Sequence, residues 1–192
     1  MTHSNTIDMP SIPANTIWLT GISGAGKSSL AEWMRRKYFH DYIIIDGDEL
    51  RQGVCKDLGF SQEDRKANVE RAAHLCRMLN KQGHKVIACM MSPLEEHRKA
   101  AREIVGNSMF MVYVACSLDE VKKRDPKGLY NKFANGEIKG MSGLDAPFEV
   151  PVNVEAVVNT EFLSLEDCLS MIVNAHLKFV SDRYKQLSTP IK

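Results

Sequence analysis

The sequence predicts an α/β fold, a three-layer sandwich whose middle layer is a mostly parallel five-stranded sheet. Short apolar runs alternate along the chain with helix-length segments, which is the pattern of strands covered by helices on both faces. One run carries three consecutive isoleucines, Ile43 to Ile45, the mark of a strand with both faces enclosed. The chain has 192 residues, of which 44% are hydrophobic, enough for one domain with a true core.

Thr16–Thr20 reads as the first strand, and Ser28 to about Tyr38 as the helix that follows it. Tyr42–Asp46 is the second strand. A long helix is expected from Ser61 to Gln82. Ser61 caps it with Asp64 three residues on, and Val69, Ala72, Ala73, Cys76 and Leu79 form its buried stripe. Gly83 can end this helix in a left-handed conformation. Lys85–Met91 is the third strand, Glu95–Val105 a helix, Met109–Ala115 the fourth strand and Glu155–Thr160 a weaker fifth. A closing helix is expected from Leu165 to about Val180. This gives a single domain over residues 15–182, with a flexible polar tail at 1–14 and another at 183–192.

Charge and cysteine content narrow the function. With 25 basic and 24 acidic residues the net charge is +1, which makes no electrostatic case for binding nucleic acid or a membrane surface. No apolar run reaches membrane-spanning length. Five cysteines are an odd number, and no C-x-x-C occurs, so neither a disulfide framework nor a zinc site is indicated. Reduced thiols in a cytoplasmic protein are the expectation.

Directly after the first strand stands Gly21-Ile22-Ser23-Gly24-Ala25-Gly26-Lys27-Ser28-Ser29. It satisfies G-x-x-x-x-G-K-[ST] in the strand–loop–helix setting that motif requires. Glycines let backbone N–H groups approach phosphate oxygens, and the helix N-terminus adds its positive dipole end. Lys27 would reach the β- and γ-phosphates of ATP, and the Ser28 hydroxyl would ligate Mg²⁺. The fold is therefore expected to be of the P-loop NTPase type, with phosphoryl transfer as its chemistry. The Asn-Lys-x-Asp guanine reader of GTPases is missing, as are the His-Arg-Asp and Asp-Phe-Gly signatures of protein kinases.

The second strand runs out into Asp46-Gly47-Asp48-Glu49-Leu50-Arg51. A carboxylate there can accept the proton of an attacking hydroxyl or hold a magnesium-bound water. Asp48 is the candidate, its competing role being the cap of a helix beginning near Glu49. Arg51 suits an anionic acceptor.

These pieces belong to a longer ordered set: Lys56-Asp-Leu-Gly-Phe60-Ser61, Asp64-Arg65, Asn68, Ser92-Pro93, Arg124-Asp-Pro-Lys127-Gly-Leu-Tyr130, Gly136-Glu-Ile-Lys-Gly140 and Pro147-Phe148-Glu-x-Pro151. From about Asn15 to Thr160 the chain resembles the adenylylsulfate kinases, which phosphorylate the 3′-hydroxyl of adenosine 5′-phosphosulfate. The resemblance implies a Mg²⁺-dependent cytoplasmic homodimer using ATP. It implies that Asp48 engages the acceptor hydroxyl, that Arg51, Arg65 and Asn68 hold the acceptor nucleotide, and that Phe60 and Phe148 sandwich its base. Lys127 then lies in a mobile lid spanning about 124–150, where glycines alternate with lysines. Ser92 matches a serine assigned in the family as a phosphoserine intermediate. Its surroundings also read as a helix start, with Ser92 as cap, Pro93 at the first position and Glu95 completing a capping box. The sequence identifies no base to activate a nucleophilic serine, which favours a capping or acceptor-positioning role.

Three departures from the family pattern, at Glu49, Gln52 and Leu94, fall near the expected acceptor site. They motivate an alternative: a relative acting on another nucleotide-linked acceptor, such as a cytidine diphosphate derivative. A third reading, a silent nucleotide-binding module within a larger sulfate-activating assembly, is opposed by the complete P-loop and Asp48.

Overall fold

A computed structural model describes residues 15–188. Its five strands are β1 (Thr16–Thr20), β2 (Tyr42–Asp46), β3 (Lys85–Cys89), β4 (Met109–Ala115) and β5 (Ala156–Asn159). They form one sheet in the order β2-β3-β1-β4-β5, and every pairing is parallel. The helices are α1 (Lys27–Lys37), α2 (Gly47–Gln52), α3 (Gln62–Lys81), α4 (Glu95–Val105), α5 (Leu118–Arg124), α6 (Leu129–Ala134) and α7 (Leu165–Ser188).

Alternation along β1 divides the core between the two faces of the sheet. Ile17 and Leu19 join Leu30 and Met34 of α1 and Leu169 and Ile172 of α7 on one face. Trp18 points the other way, into a cluster with Val69, Ala72, Ala73 and Cys76 of α3 and Ala101 of α4. Each fully buried Leu or Ile stabilises the fold by roughly 1.5–3 kcal/mol. All five β1 residues are enclosed, as the central position in the sheet demands. The expected stripe of α3 is buried where it faces this cluster, Ser61 accepts a hydrogen bond from the Asp64 amide, and Gly83 has a φ of 86°.

Beyond shifts of a residue or so at β5, α1 and α3, four features differ from the sequence reading. β3 stops at Cys89 because the Met91 carbonyl leaves the ladder for the Thr20 hydroxyl, at 2.7 Å. α7 continues to Ser188, well past Val180, so residues 183–188 are helical rather than tail. Asp48 is not a helix cap: Asp46 takes that role by accepting from the Asp48 amide at 2.9 Å, which places Asp48 inside α2. Ser92 is no cap either, because α4 starts later, with Leu94 at its N-cap. The orphan amide of Glu95 is satisfied from outside by the Glu149 carboxylate at 2.6 Å. The expected tail at 1–14 and residues 189–192 lie outside the described residues. All five cysteines are free thiols, and no described helix is long and apolar enough to cross a membrane.

Candidate active site

β1, β2 and β3 lie side by side in the sheet, so the loops at their carboxyl ends meet at one edge. A cavity of about 580 Å³ opens there. Ser23, Gly24, Gly26, Lys27, Ser28 and Ser29 form one side of it. Gly26 sits at the N-cap of α1 with a φ of 92°, a left-handed conformation that suits glycine. Gly21 passes so close to β4 that an added Cβ would stand 2.4 Å from the Val114 carbonyl oxygen. Ile22 and Ala25 face the core, and the loop turns around them. Lys27 donates to the Gly21 and Ile22 carbonyls at 2.8 and 2.9 Å. Burial pushes its amine down to about 8, against the opposing pull of Cys89, Asp48 and Asp46.

The end of β2 supplies two carboxylates with different partners. The Ser28 hydroxyl donates to Asp46 at 2.5 Å. Asp48 pairs with the Lys127 ammonium, which reaches over from segment 124–150. Burial alone would lower the Lys127 amine, but Asp48 outweighs it and holds the amine above its usual value. Both carboxylates and Lys127 line the cavity. Asp46 lines the cavity as well, although the sequence singles out only Asp48 of the Asp-Gly-Asp pair as the candidate. The signal for Asp46 was its position, the last residue of a strand parallel to the P-loop strand.

The other side of the cavity gathers Arg51, Phe60, Arg65, Asn68 and Ser92. Arg51 donates to the carbonyls of Leu58 and Gly59 at 3.1 and 2.7 Å. Its guanidinium carbon lies 4.6 Å from the centre of the Phe60 ring, and that of Arg65 lies 5.5 Å away. The Phe60 ring is 64% exposed, which leaves it available for stacking. Arg65 donates to the Phe60 carbonyl at 3.0 Å and to the Gly140 carbonyl at 2.6 Å, tying α3 to segment 124–150. Asn68 is buried, and its carbonyl oxygen has no protein partner, so a ligand donor has somewhere to bind. Ser92 is 1% exposed, with a φ of 44°. Phe148 does not line the cavity: its ring packs toward Tyr113, 6.3 Å between centres, so the expected aromatic sandwich with Phe60 is not assembled here.

The segment 124–150 rests on the site through named bonds. The Tyr130 hydroxyl donates to the Ser23 carbonyl at 2.9 Å, and the amides of Gly140 and Met141 donate to Asp145. Arg124, Thr160, Leu163 and Leu165 extend the cavity past the P-loop and were not foreseen. Arg124 donates to the Thr160 carbonyl at 2.7 Å, and the Thr160 hydroxyl donates to Ala25 at 2.9 Å. Thr160 follows the last residue of β5, so the rule that ligands gather at strand carboxyl ends was the available signal. Glu49, Gln52 and Leu94 do not line the cavity. The departures that motivated a different acceptor are therefore departures outside the wall of the site.

The profile of the adenylylsulphate kinase family matches residues 13–159. An adenylyl-sulfate kinase of Bacillus velezensis is 42% identical over 165 residues, covering 84% of each chain. A probable adenylyl-sulfate kinase of Bacillus subtilis is 41% identical over 164 residues, covering 83% of each. Among solved structures, an APS kinase of Mycobacterium tuberculosis in complex with AMPPNP and APS is 37% identical and superposes with a TM-score of 0.80, covering 85% of this chain and 97% of that one. By sequence and by fold, this chain belongs to the adenylylsulphate kinase family.

Proposed function

We infer that the chain moves the γ-phosphoryl group of ATP onto the 3′-hydroxyl of adenosine 5′-phosphosulfate, releasing ADP and 3′-phosphoadenylyl sulfate. One observation carries this reading: a P-loop and a second cation-and-aromatic surface open into the same cavity, with Asp48 on its wall. A hydrolase needs only the first of these; a kinase of a nucleotide needs both.

In this mechanism the P-loop amides and Lys27 hold the triphosphate tail, Lys27 exchanging its two carbonyl partners for phosphate oxygens. Arg51 and Arg65 face the anionic end of the acceptor, Phe60 stacks on its base, and Asn68 accepts one of its donors. Asp48 takes the proton of the acceptor hydroxyl as its oxygen attacks the γ-phosphorus and the bond to ADP breaks. Lys127 lies where it balances the charge of Asp48 and of the transferring group. The lid at 124–150 excludes water, which would otherwise compete as acceptor.

Mg²⁺ fits this donor set. The Ser28 hydroxyl and the Asp46 carboxylate are adjacent and face the cavity. No described cluster of three or more His, Cys, Asp or Glu residues stands ready to bind a metal alone. Phosphate oxygens and water would complete the shell. When bound, the ion would neutralise charge on the β- and γ-phosphates. A cytoplasmic location, supported by the five free thiols, and a homodimer, for which exposed Val150, Val152 and Phe162 leave apolar surface, belong to the same reading.

Purified protein with γ-labelled ATP and Mg²⁺ tests it against adenosine 5′-phosphosulfate and cytidine diphosphate-linked alcohols in parallel. Labelled 3′-phosphoadenylyl sulfate is the expected product. Label passing only to a cytidylyl compound, or only to water, would sink the proposal.

A further inference from the structure

Ser92 is held by two residues that no part of the proposed reaction uses. The indole N–H of Trp18 donates to the Ser92 hydroxyl oxygen at 3.1 Å. The Arg98 guanidinium donates to the Ser92 carbonyl at 2.8 Å. Trp18 is fully enclosed and Arg98 is 2% exposed. The first residue comes from the middle of β1 and the second from α4, so the sheet and a helix meet on one serine.

Each contact has a physical reason to exist. A buried indole N–H needs an acceptor. The cluster around Trp18 consists of side chains such as Val86, Ala88, Met90 and Met111, which offer none of good quality. Arg98 is fixed by Glu95, whose carboxylate accepts from its Nε at 2.9 Å, leaving another N–H pointed at the Ser92 carbonyl. That carbonyl belongs to a residue in left-handed backbone, which non-glycine residues seldom adopt and which persists where the surroundings impose it.

We propose that Trp18 and Arg98 are positioning residues that hold Ser92 as a fixed hydrogen-bond donor to the acceptor nucleotide. An indole N–H can only donate. Trp18 occupies one of the two lone pairs of the serine oxygen and fixes its position, and the hydroxyl proton is left for an acceptor. Among the described residues no acceptor takes that proton, and Ser92 lies on the cavity wall beside Asn68 and Pro93. The same bond disfavours Ser92 as a phosphate carrier: a donor is the wrong partner for activating a nucleophile, which needs a base to remove its proton. The proposal rests on the acceptor reading given above, since the serine must face an acceptor to act.

The chain has two tryptophans, so a ¹⁵N-labelled sample shows two indole signals. A Trp33→Phe variant assigns them without touching the site, since Trp33 bonds to Glu166 on another face. Ser92→Ala is expected to shift the Trp18 signal and leave Trp33 unmoved. Adenosine 5′-phosphosulfate is expected to shift the Trp18 signal in the wild type and not in Ser92→Ala. In kinetics, Trp18→Phe is expected to raise the KM for the acceptor about tenfold, the equivalent of one hydrogen bond, with the KM for ATP unchanged. In a Ser92→Ala background it should raise the acceptor KM no further. An unmoved Trp18 signal in Ser92→Ala overturns the proposal. So does a Trp18→Phe effect that falls equally on both substrates, or that multiplies with the serine variant. The Ser92→Ala spectrum needs neither a tryptophan variant at the site nor any substrate. A protein that shifts as expected yet fails to phosphorylate adenosine 5′-phosphosulfate would therefore count against the acceptor reading and not against the Trp18–Ser92 contact.

Discussion

The two ends of the cavity are built in opposite ways. The core of the donor end is one unbroken stretch, residues 21–29, whose working parts are backbone amides, one lysine and one hydroxyl, with Asp46 beside Ser28 as its one partner from β2. The acceptor end is drawn from α2, the loop before α3, α3 itself, the turn after β3 and the lid. It is held together by side chains reaching across to carbonyls. Arg51 closes the loop at Leu58 and Gly59, and Arg65, bound to the Phe60 carbonyl, reaches Gly140, 75 positions further along the sequence. A site made of backbone tolerates little variation and serves any triphosphate. A site made of long-range ties can be retuned piece by piece, so acceptor choice can change while donation stays the same.

The largest test of this contrast is Lys27→Ala. Removing a cation aimed at charge that develops on the γ-phosphate should lower kcat by about 10³-fold, with the acceptor KM unchanged in steady-state kinetics. A loss confined to acceptor affinity would erase the division between the two ends. Asp48→Asn stands next. Loss of the proton acceptor should lower kcat by about 10²-fold, while ATP affinity measured by calorimetry holds. An equal loss of ATP affinity would move Asp48 to the donor end, as a holder of the metal shell.

The same contrast explains what the sequence disclosed. The P-loop was legible because its function resides in consecutive residues with required neighbours, a strand before and a helix after. All five strands were placed because a parallel sheet writes each strand as an apolar run, but the three isoleucines of β2 do not mark an enclosed strand: β2 is the sheet edge and Ile43 is 37% exposed. The spacing of Ser92 and Glu95 in Ser92-Pro93-Leu94-Glu95 points to a capping box. The fold overruled it because Glu149, far along the chain, already satisfies the Glu95 amide, and because Trp18 claims the serine oxygen. Neither competitor is visible within a local window. Phe148 failed for a related reason. Its motif was present, but its ring packs toward Tyr113, and only the three-dimensional path of the lid decides where it points. Glu49 and Gln52 looked decisive because they neighbour Asp48 and Arg51 in sequence. On the short helix α2 those neighbours are not among the residues that line the cavity.

Glu149→Gln probes one of the long-range ties. It weakens the charged partner at the N-terminus of α4, where a carboxylate also meets the helix dipole. The expected cost is about 1 kcal/mol, read as a fall in Tm of about 3 °C. The acceptor KM should rise severalfold and the ATP KM should stay in place. Equal changes in both would mean that α4 supports the whole site rather than its acceptor end.

The smallest effect separates the two ends by their protons. Lys27 is held down to about 8 by burial, so in the empty site at pH 8 roughly half of these amines are uncharged. A bound triphosphate favours the charged form and raises the amine again, so binding should draw in protons from solution. Uptake should be near zero at pH 6.5, where the amine is already charged, and about half a proton at pH 8. It should be larger at pH 9, as long as the bound amine stays charged. Calorimetry of Mg²⁺-ATP binding in buffers of different ionisation enthalpy reads this number directly. The acceptor end should take up none, because burial lowers Arg51 and Arg65 from a value so high that both keep their charge throughout this range. Lys27→Arg supplies the control: a guanidinium at the donor end remains charged when empty, and proton uptake should vanish. Uptake that persists in Lys27→Arg, or that accompanies acceptor binding instead, would place the titrating group elsewhere in the cavity and remove the electrostatic distinction between its two ends.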